Sequence, residues 1–143
     1  MLTLASPILS EELADCIRHG DMNRVSKISP YFACLFPLLE TLGWTNYQRD
    51  VIEALPHYSD HLDLTDLRNV LVNLGFESQF IKTNLKEINP QLLPAIFEGD
   101  KGQVFLFFFK EGDEFKYYDG KTNEYRCERL KDKGTIYIFT DSN

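Results

Sequence analysis

In the first half of the chain apolar residues recur at helical spacing; in the second half they crowd into short runs bounded by turn residues. Ser10 to His19 is predicted as a short helix: Ser10 can cap it, Glu11 and Glu12 suit its positive first turn, and Gly20 ends it. Asp21 to Ser29 reads as a polar link. From Tyr31 to Leu42, Phe32, Leu35, Phe36, Leu39 and Leu42 share a helical face closed by Gly43. Pro37 removes one interior hydrogen bond there and should kink this helix or displace its start. A third helix is predicted from Thr45 to about Leu55, opened by the capping box Thr45-Asn46-Tyr47-Gln48 and ended by Pro56. His57 to Asp63 is a loop. A fourth helix covers about Thr65 to Leu74, with Leu67, Val70, Leu71 and Leu74 apolar and Gly75 behind them.

Beyond Gly75 the period changes. Phe76 to Lys82 is predicted as a strand, Leu85 to Ile88 as a helical turn and Pro94 to Phe97 as a short strand. The stretch Gly102 to Lys110 contains Val104-Phe105-Leu106-Phe107-Phe108-Phe109, too apolar for one wet face, so it should be a central strand covered on both sides. Phe115 to Tyr118, Glu124 to Glu128 and Thr135 to Phe139 complete the set, joined by turns at Glu111-Gly112-Asp113 and Asp119-Gly120-Lys121. Helices first and an antiparallel sheet second make an α+β domain. No internal repeat, low-complexity tract or long linker interrupts it.

The 143 residues, 43% hydrophobic and 26% charged, suit one globular domain whose core needs neither disulfide nor metal. No apolar run approaches the length that spans a bilayer. Met1 to Ser10 lacks the basic start and long apolar run of a secretory signal, and three scattered cysteines suit a reducing compartment, so a cytosolic location is expected. A net charge of −7 argues against nucleic acid or an anionic lipid surface as the main partner. Basic or weakly charged peptide segments suit it better.

Ser29-Pro30-Tyr31-Phe32-Ala33-Cys34-Leu35 ends in the Ala-Cys-Leu that closes the Asp-Cys-Gly-x-Ala-Cys-Leu pattern of papain-like peptidase domains in bacteriocin ABC exporters. Thr41-Leu42-Gly43, Asn69 to Phe76 (with Leu71-Val72-Asn73-Leu74-Gly75) and Leu93-Pro94-Ala95-Ile96 resemble further segments of that cysteine-peptidase family, in the same order, over roughly Ser29 to Asp141. The resemblance implies a papain-like cysteine peptidase fold, N-terminal helices packed on an antiparallel sheet, over residues 29–143, with residues 1–28 as an extension carrying a short helix. In that register Pro30 stands at the nucleophile, Ser29 at the preceding aspartate and Tyr31 at the glycine. Val104 or Gln103 stands at the catalytic histidine, Asp119 matches the orienting aspartate, and the oxyanion glutamine falls near Arg24. Proline has neither a titratable group nor a backbone N–H, and neither valine nor glutamine is a general base.

The pattern is similar to the degenerate peptidase-like domains at the N-terminus of hemolysin-type ABC transporters of type I secretion. That resemblance implies a non-catalytic domain on the cytosolic side of the inner membrane. It would dock an unfolded secreted polypeptide and contact the membrane and ATPase portions of the transporter. No cofactor is implied in this domain. The chain ends just beyond Phe139, where such a domain would give way to membrane spans.

Other residues offer competing chemistry. Cys34 is a candidate nucleophile for an active hydrolase, with His57 or His61 as base, although its apolar helix favours a buried thiol. Cys16, His19 and Asp21, and His57, Asp60 and His61, are candidate metal ligands, set aside because a helix end and a loop align them poorly. Lys82, Lys86 and Lys101 are scattered basic residues. Aromatic residues make up 13% of the chain, and Tyr117, Tyr118 and Tyr125, with Tyr31 and Phe32, are the candidates for a peptide-binding groove beside the altered site. A purely structural domain contacting its own transporter is the remaining alternative.

Overall fold

Six helices precede six strands in the computed structural model, which is described over residues 8–45 and 48–141. Among these residues the helices are α1 Leu9–Arg18, α2 Met22–Ile28, α3 Pro30–Ala33, α4 Leu35–Thr41, α5 Gln48–Ala54 and α6 Leu64–Asn73. The strands are β1 Phe76–Asn84, β2 Ala95–Gly99, β3 Val104–Glu111, β4 Glu114–Asp119, β5 Glu124–Arg129 and β6 Lys133–Asp141. They form one sheet in the order β1-β6-β2-β3-β4-β5, antiparallel throughout, with β1 and β5 at its edges.

The helical half departs from expectation at Ser10 and at the link from Asp21 to Ser29, and breaks near Pro37 as expected. Ser10 does not cap α1, which starts a residue earlier; its backbone N–H and its hydroxyl instead bind the carbonyl and the N–H of Ser59. Gly20, at φ 70°, ends α1 as expected: its N–H reaches Ile17 and that of Asp21 reaches Cys16, the paired bonds of a Schellman stop. Asp21 to Ser29 is no link but the helix α2, where the Asp21 carboxylate caps the Arg24 N–H and Val25 is buried. Its apolar residues Met22, Val25 and Ile28 recur every third position, a signal that the surrounding polar residues mask. The predicted helix Tyr31 to Leu42 is two helices that meet at Cys34, three residues before Pro37, as a missing N–H to Ala33 requires. The proposed capping box of the third helix includes Asn46 and Tyr47, which lie outside the described residues. From Gln48 onward α5 agrees with the prediction.

Alternation along β3 serves two apolar layers, so this central strand is covered on both sides as its composition demands. Val104 and Leu106 join Ile96, Tyr118 and Phe139 against the helices, where Leu13, Ile17, Phe32, Leu35, Leu38, Leu67 and Leu71 are fully buried. Phe105 and Phe107 face the other way, packing with Phe97, Phe115, Tyr117 and Ile136 under the segment containing Leu85 and Ile88. Each fully buried phenylalanine there contributes about 1.5–3 kcal/mol by leaving water. Lys110 pins that cover: its buried ammonium donates to the carbonyls of Lys86 at 3.0 Å and Ile88 at 2.8 Å and lies over the Phe115 ring.

Near its end β3 changes register. Phe107 pairs with Tyr117, but Phe109 pairs with Lys116, so Phe108 and Phe109 together oppose a single step of β4. Such a bulge breaks the alternation. It places both phenylalanines on the helix side of the sheet, while Lys110 regains the opposite face beside Phe115.

Candidate functional site

Ser29 ends α2 and caps α3, which brings residue 30 to the first position of a helix. Its hydroxyl accepts the Phe32 N–H at 3.4 Å and donates to the Leu62 carbonyl at 2.6 Å, so the junction is fixed from two sides. Leu62 is buried at φ 47°, a strained conformation that its N–H bond to the Ser59 hydroxyl also helps to hold. Pro30 occupies the first helical position, where a missing N–H costs nothing.

The segments that the sequence aligns with a catalytic triad converge here. The Pro30 carbonyl packs against Gly120, and the Gly120 N–H donates to the Val104 carbonyl at 2.8 Å. Asp119 lies beside them, but its Oδ1 accepts the backbone N–H groups of Lys121 at 2.9 Å and Thr122 at 3.3 Å and thereby shapes the turn after β4. Asn123, at φ 59°, ties that turn to the helices: its amide donates to the Ser26 carbonyl at 2.7 Å and to the Tyr118 hydroxyl at 3.2 Å. Gln103 turns away, its amide oxygen accepting the Lys101 N–H over Gly99. Arg24 pairs with Glu12 at 2.6 Å on the surface of α1 and α2.

Cys34 closes this cluster from below. It is fully buried, and its thiol donates to the Pro30 carbonyl at 3.5 Å. Burial first, and then the negative charge of Asp119, push that thiol up to about 12, so at neutral pH it carries no thiolate. His57 and His61 are exposed on the loop before α6, and His61 pairs with Asp60 at 3.0 Å. Cys16 is also buried, which raises its thiol, and the His19 ring bonds the Asp15 carbonyl. Among the described residues no three His, Cys, Asp or Glu side chains converge on a metal position.

The proposed groove residues separate. Phe32 is entirely buried in the helix-side core, and Tyr117 is 2% exposed on the opposite face of the sheet, its hydroxyl donating to Glu128. Neither presents a face to a ligand; alternation sends Tyr117 away from Tyr118. Tyr31 is half-buried and donates to Glu98 at 2.6 Å, joining α3 to β2, with its hydroxyl pushed up by burial and then by Glu98. Tyr118 lies buried beneath Tyr125, ring centroids 4.9 Å apart. Tyr125 is the one of the five that is largely exposed, at 65%.

An open groove of about 870 Å³ does run along Tyr125, four residues down β3 from Val104. Its floor is aromatic. Phe108 stacks on Tyr125 at 5.9 Å, and Phe109 stands 54% exposed beside them. One wall is α4, through Pro37, Glu40 and Thr41, and the other is formed by Glu111, Glu114, Lys116 and Cys127. Burial and then Glu40 raise the Tyr125 hydroxyl, and a hydrogen bond to Glu114 raises the exposed Cys127 thiol. Phe108, Phe109 and the three glutamates escape a reading of the sequence because only the bulge brings two adjacent phenylalanines to one face. Strand composition carries no signal of it.

Six helices layered on one face of a six-stranded antiparallel sheet, with the junction of α2 and α3 against the start of β3 and the end of β4, give the described chain the α+β, papain-like peptidase fold. Among solved structures it is similar to the crystal structure of the N-terminal peptidase C39 like domain of the toxin secretion ATP-binding protein from Vibrio parahaemolyticus. The TM-score is 0.63 at 16% identity, over 79% of this chain and 97% of that one. No protein-family model and no curated protein sequence matches the chain.

Proposed function

We propose that the chain is a non-catalytic peptidase-like domain of a type I secretion ABC transporter and that it docks the unfolded secreted polypeptide. The observation that carries the reading is Pro30 at the head of α3, its carbonyl against Gly120, whose N–H bonds the Val104 carbonyl, at the positions that the resemblance aligns with a nucleophile and its base. Cys34 offers no replacement, since its buried thiol stays protonated and its bond goes to the Pro30 carbonyl. The neighbouring structure, a domain of a toxin secretion ATP-binding protein, supports the transporter setting. In that setting the domain faces the cytosol at the inner membrane.

Polypeptide docks in the groove floored by Phe108, Phe109 and Tyr125 rather than at the closed site itself. Affinity is modest, because ordering a flexible chain costs about 2–5 kcal/mol of the gross contact energy. The edge strand β1, with Phe80 and Ile81 exposed, supports a second contact with the membrane or ATPase portion of the transporter.

Titration of the chain with a type I secretion substrate, urea-unfolded and refolded, tests the reading. Binding of the unfolded form alone, without cleavage and weakened by Phe109→Ala or Tyr125→Ala, is expected. Cleavage of the substrate, or no difference between the two forms, would overturn it.

A further inference from the structure

We infer that the groove selects positively charged, extended polypeptide segments, whose Lys and Arg side chains lie over the Phe108, Phe109 and Tyr125 floor and reach Glu40, Glu111 and Glu114. This rests on the docking role proposed above and specifies its ligand.

The residues lining the groove carry three carboxylates against one ammonium, Lys116, and at its end Arg129 and Asp113 add one charge of each sign beside Glu111 and Glu114. Among the described residues none of Glu40, Glu111 and Glu114 has an ion-pair partner. The pattern differs on neighbouring β5, where Glu124 at 3.1 Å and Glu128 at 3.4 Å both pair with Arg126. A surplus of carboxylates over an exposed aromatic floor is the environment that favours a guanidinium or ammonium: the ring faces attract the cation and the rim neutralises it. An acidic segment meets repulsion from both.

Geometry points the same way. In an extended ligand alternate side chains leave one face about 6.6–6.8 Å apart. The bulge puts Phe108, stacked on Tyr125 at 5.9 Å, and Phe109 on one face, an aromatic floor for such side chains to lie on. Aliphatic stems of Lys and Arg lie on such rings while their charged heads stay at the wet rim. A second copy of this chain is a poor occupant, because a two-fold contact through the groove would set the same carboxylates against themselves in a chain of net charge −7.

Fluorescence anisotropy with three flexible peptides of equal length and equal aromatic content, carrying Lys/Arg, Gln or Glu at the same alternate positions, tests this. At low salt the cationic peptide should bind about tenfold or more tighter than the acidic one, with the neutral peptide between. That ratio should shrink as salt shortens the screening length from about 30 Å at 0.01 M to about 3 Å at 1 M. In a Glu40→Gln, Glu111→Gln, Glu114→Gln variant, checked for an unchanged unfolding midpoint, the ratio should fall towards one. Equal binding of all three peptides with loss in Tyr125→Ala would overturn charge selection and leave docking standing. No binding of any peptide would overturn both. A dimer that forms with rising concentration and is lost in Tyr125→Ala would overturn it in favour of self-association.

Discussion

The carbonyl of Pro30 lies against Gly120 with no room between them for a methyl group: a β-carbon on Gly120 would overlap the Pro30 oxygen and come within 3.3 Å of the Cys34 sulfur. The head of α3 and the turn after β4, far apart in sequence, are thereby in direct contact. On the function proposed above, this contact lies where a nucleophile would have to meet its base and its substrate, and backbone fills the space. Asn123 reinforces the closure by reaching the Ser26 carbonyl.

Gly120→Ala should therefore destabilise the chain. Alanine restricts the unfolded state and gains about 0.4–1 kcal/mol, but the overlap is with rigid backbone, and overpacking costs about 1–3 kcal/mol. A lower urea midpoint at unchanged slope is the expected outcome. An unchanged or higher midpoint would mean that the turn moves freely away from Pro30.

Thiol accessibility separates the three cysteines. Cys127 is exposed, and Cys16 and Cys34 are buried. Mass spectrometry after alkylation of the native protein should find a single adduct, at Cys127, and after unfolding adducts at all three. Rapid native modification of Cys34 would revive the hydrolase alternative.

Cys34 also sets a pH dependence. Its folded value, about 12, lies above the ordinary 9.0, so below pH 9 both states hold the proton and its full contribution to stability is present. Between 9 and about 12 only the unfolded state ionises, and stability falls as pH rises. Chemical denaturation from pH 8 upward should show this decline, and it should be shallower by up to one proton in Cys34→Ser, whose hydroxyl does not titrate in that range.

Lys110 is a structural cation held by two carbonyls and the face of Phe115 rather than by a carboxylate. Lys110→Met keeps the stem but leaves those carbonyls without their donor, at a cost of about 1–3 kcal/mol. Hydrogen exchange should quicken along residues 85–93, measured against an unchanged α6. Uniform protection across both would refute the pinning role.

Tyr125 and Phe109 carry the groove without carrying the fold. Both are largely exposed, so Tyr125→Ala and Phe109→Ala should each shift stability by about 1 kcal/mol or less while weakening capture of unfolded polypeptide. Parallel unfolding and anisotropy titrations check the two halves of that statement.

Much of the scaffold was legible because its signals are local. Spacing of Leu67, Val70 and Leu71 announced α6, Gly20 and Gly75 marked helix ends, and the apolar run Val104 to Phe109 declared a strand covered on two sides. Pro37 foretold the break between α3 and α4 for the same reason. The helix α2 was missed because its three apolar residues are outnumbered by exposed polar ones, and tertiary burial of Val25 rather than propensity holds it.

The residues of the candidate groove were less legible. Aromatic content pointed to the right strands, but five tyrosines and phenylalanines look alike in sequence and meet different fates. Phe32 and Tyr117 are core, Tyr31 is tied to Glu98, and Tyr118 lies under Tyr125.

The order of helices and strands, the acidic surplus and the proline at the head of α3 were determined by the sequence alone, since each depends on residue identity or short-range spacing. Tertiary structure alone decided which aromatic side chains reach solvent, where the groove runs, and that the turn after β4 closes on Pro30. Those outcomes depend on strand register and on one extra residue in β3, and a single-residue slip exchanges the two faces of a strand without altering its composition.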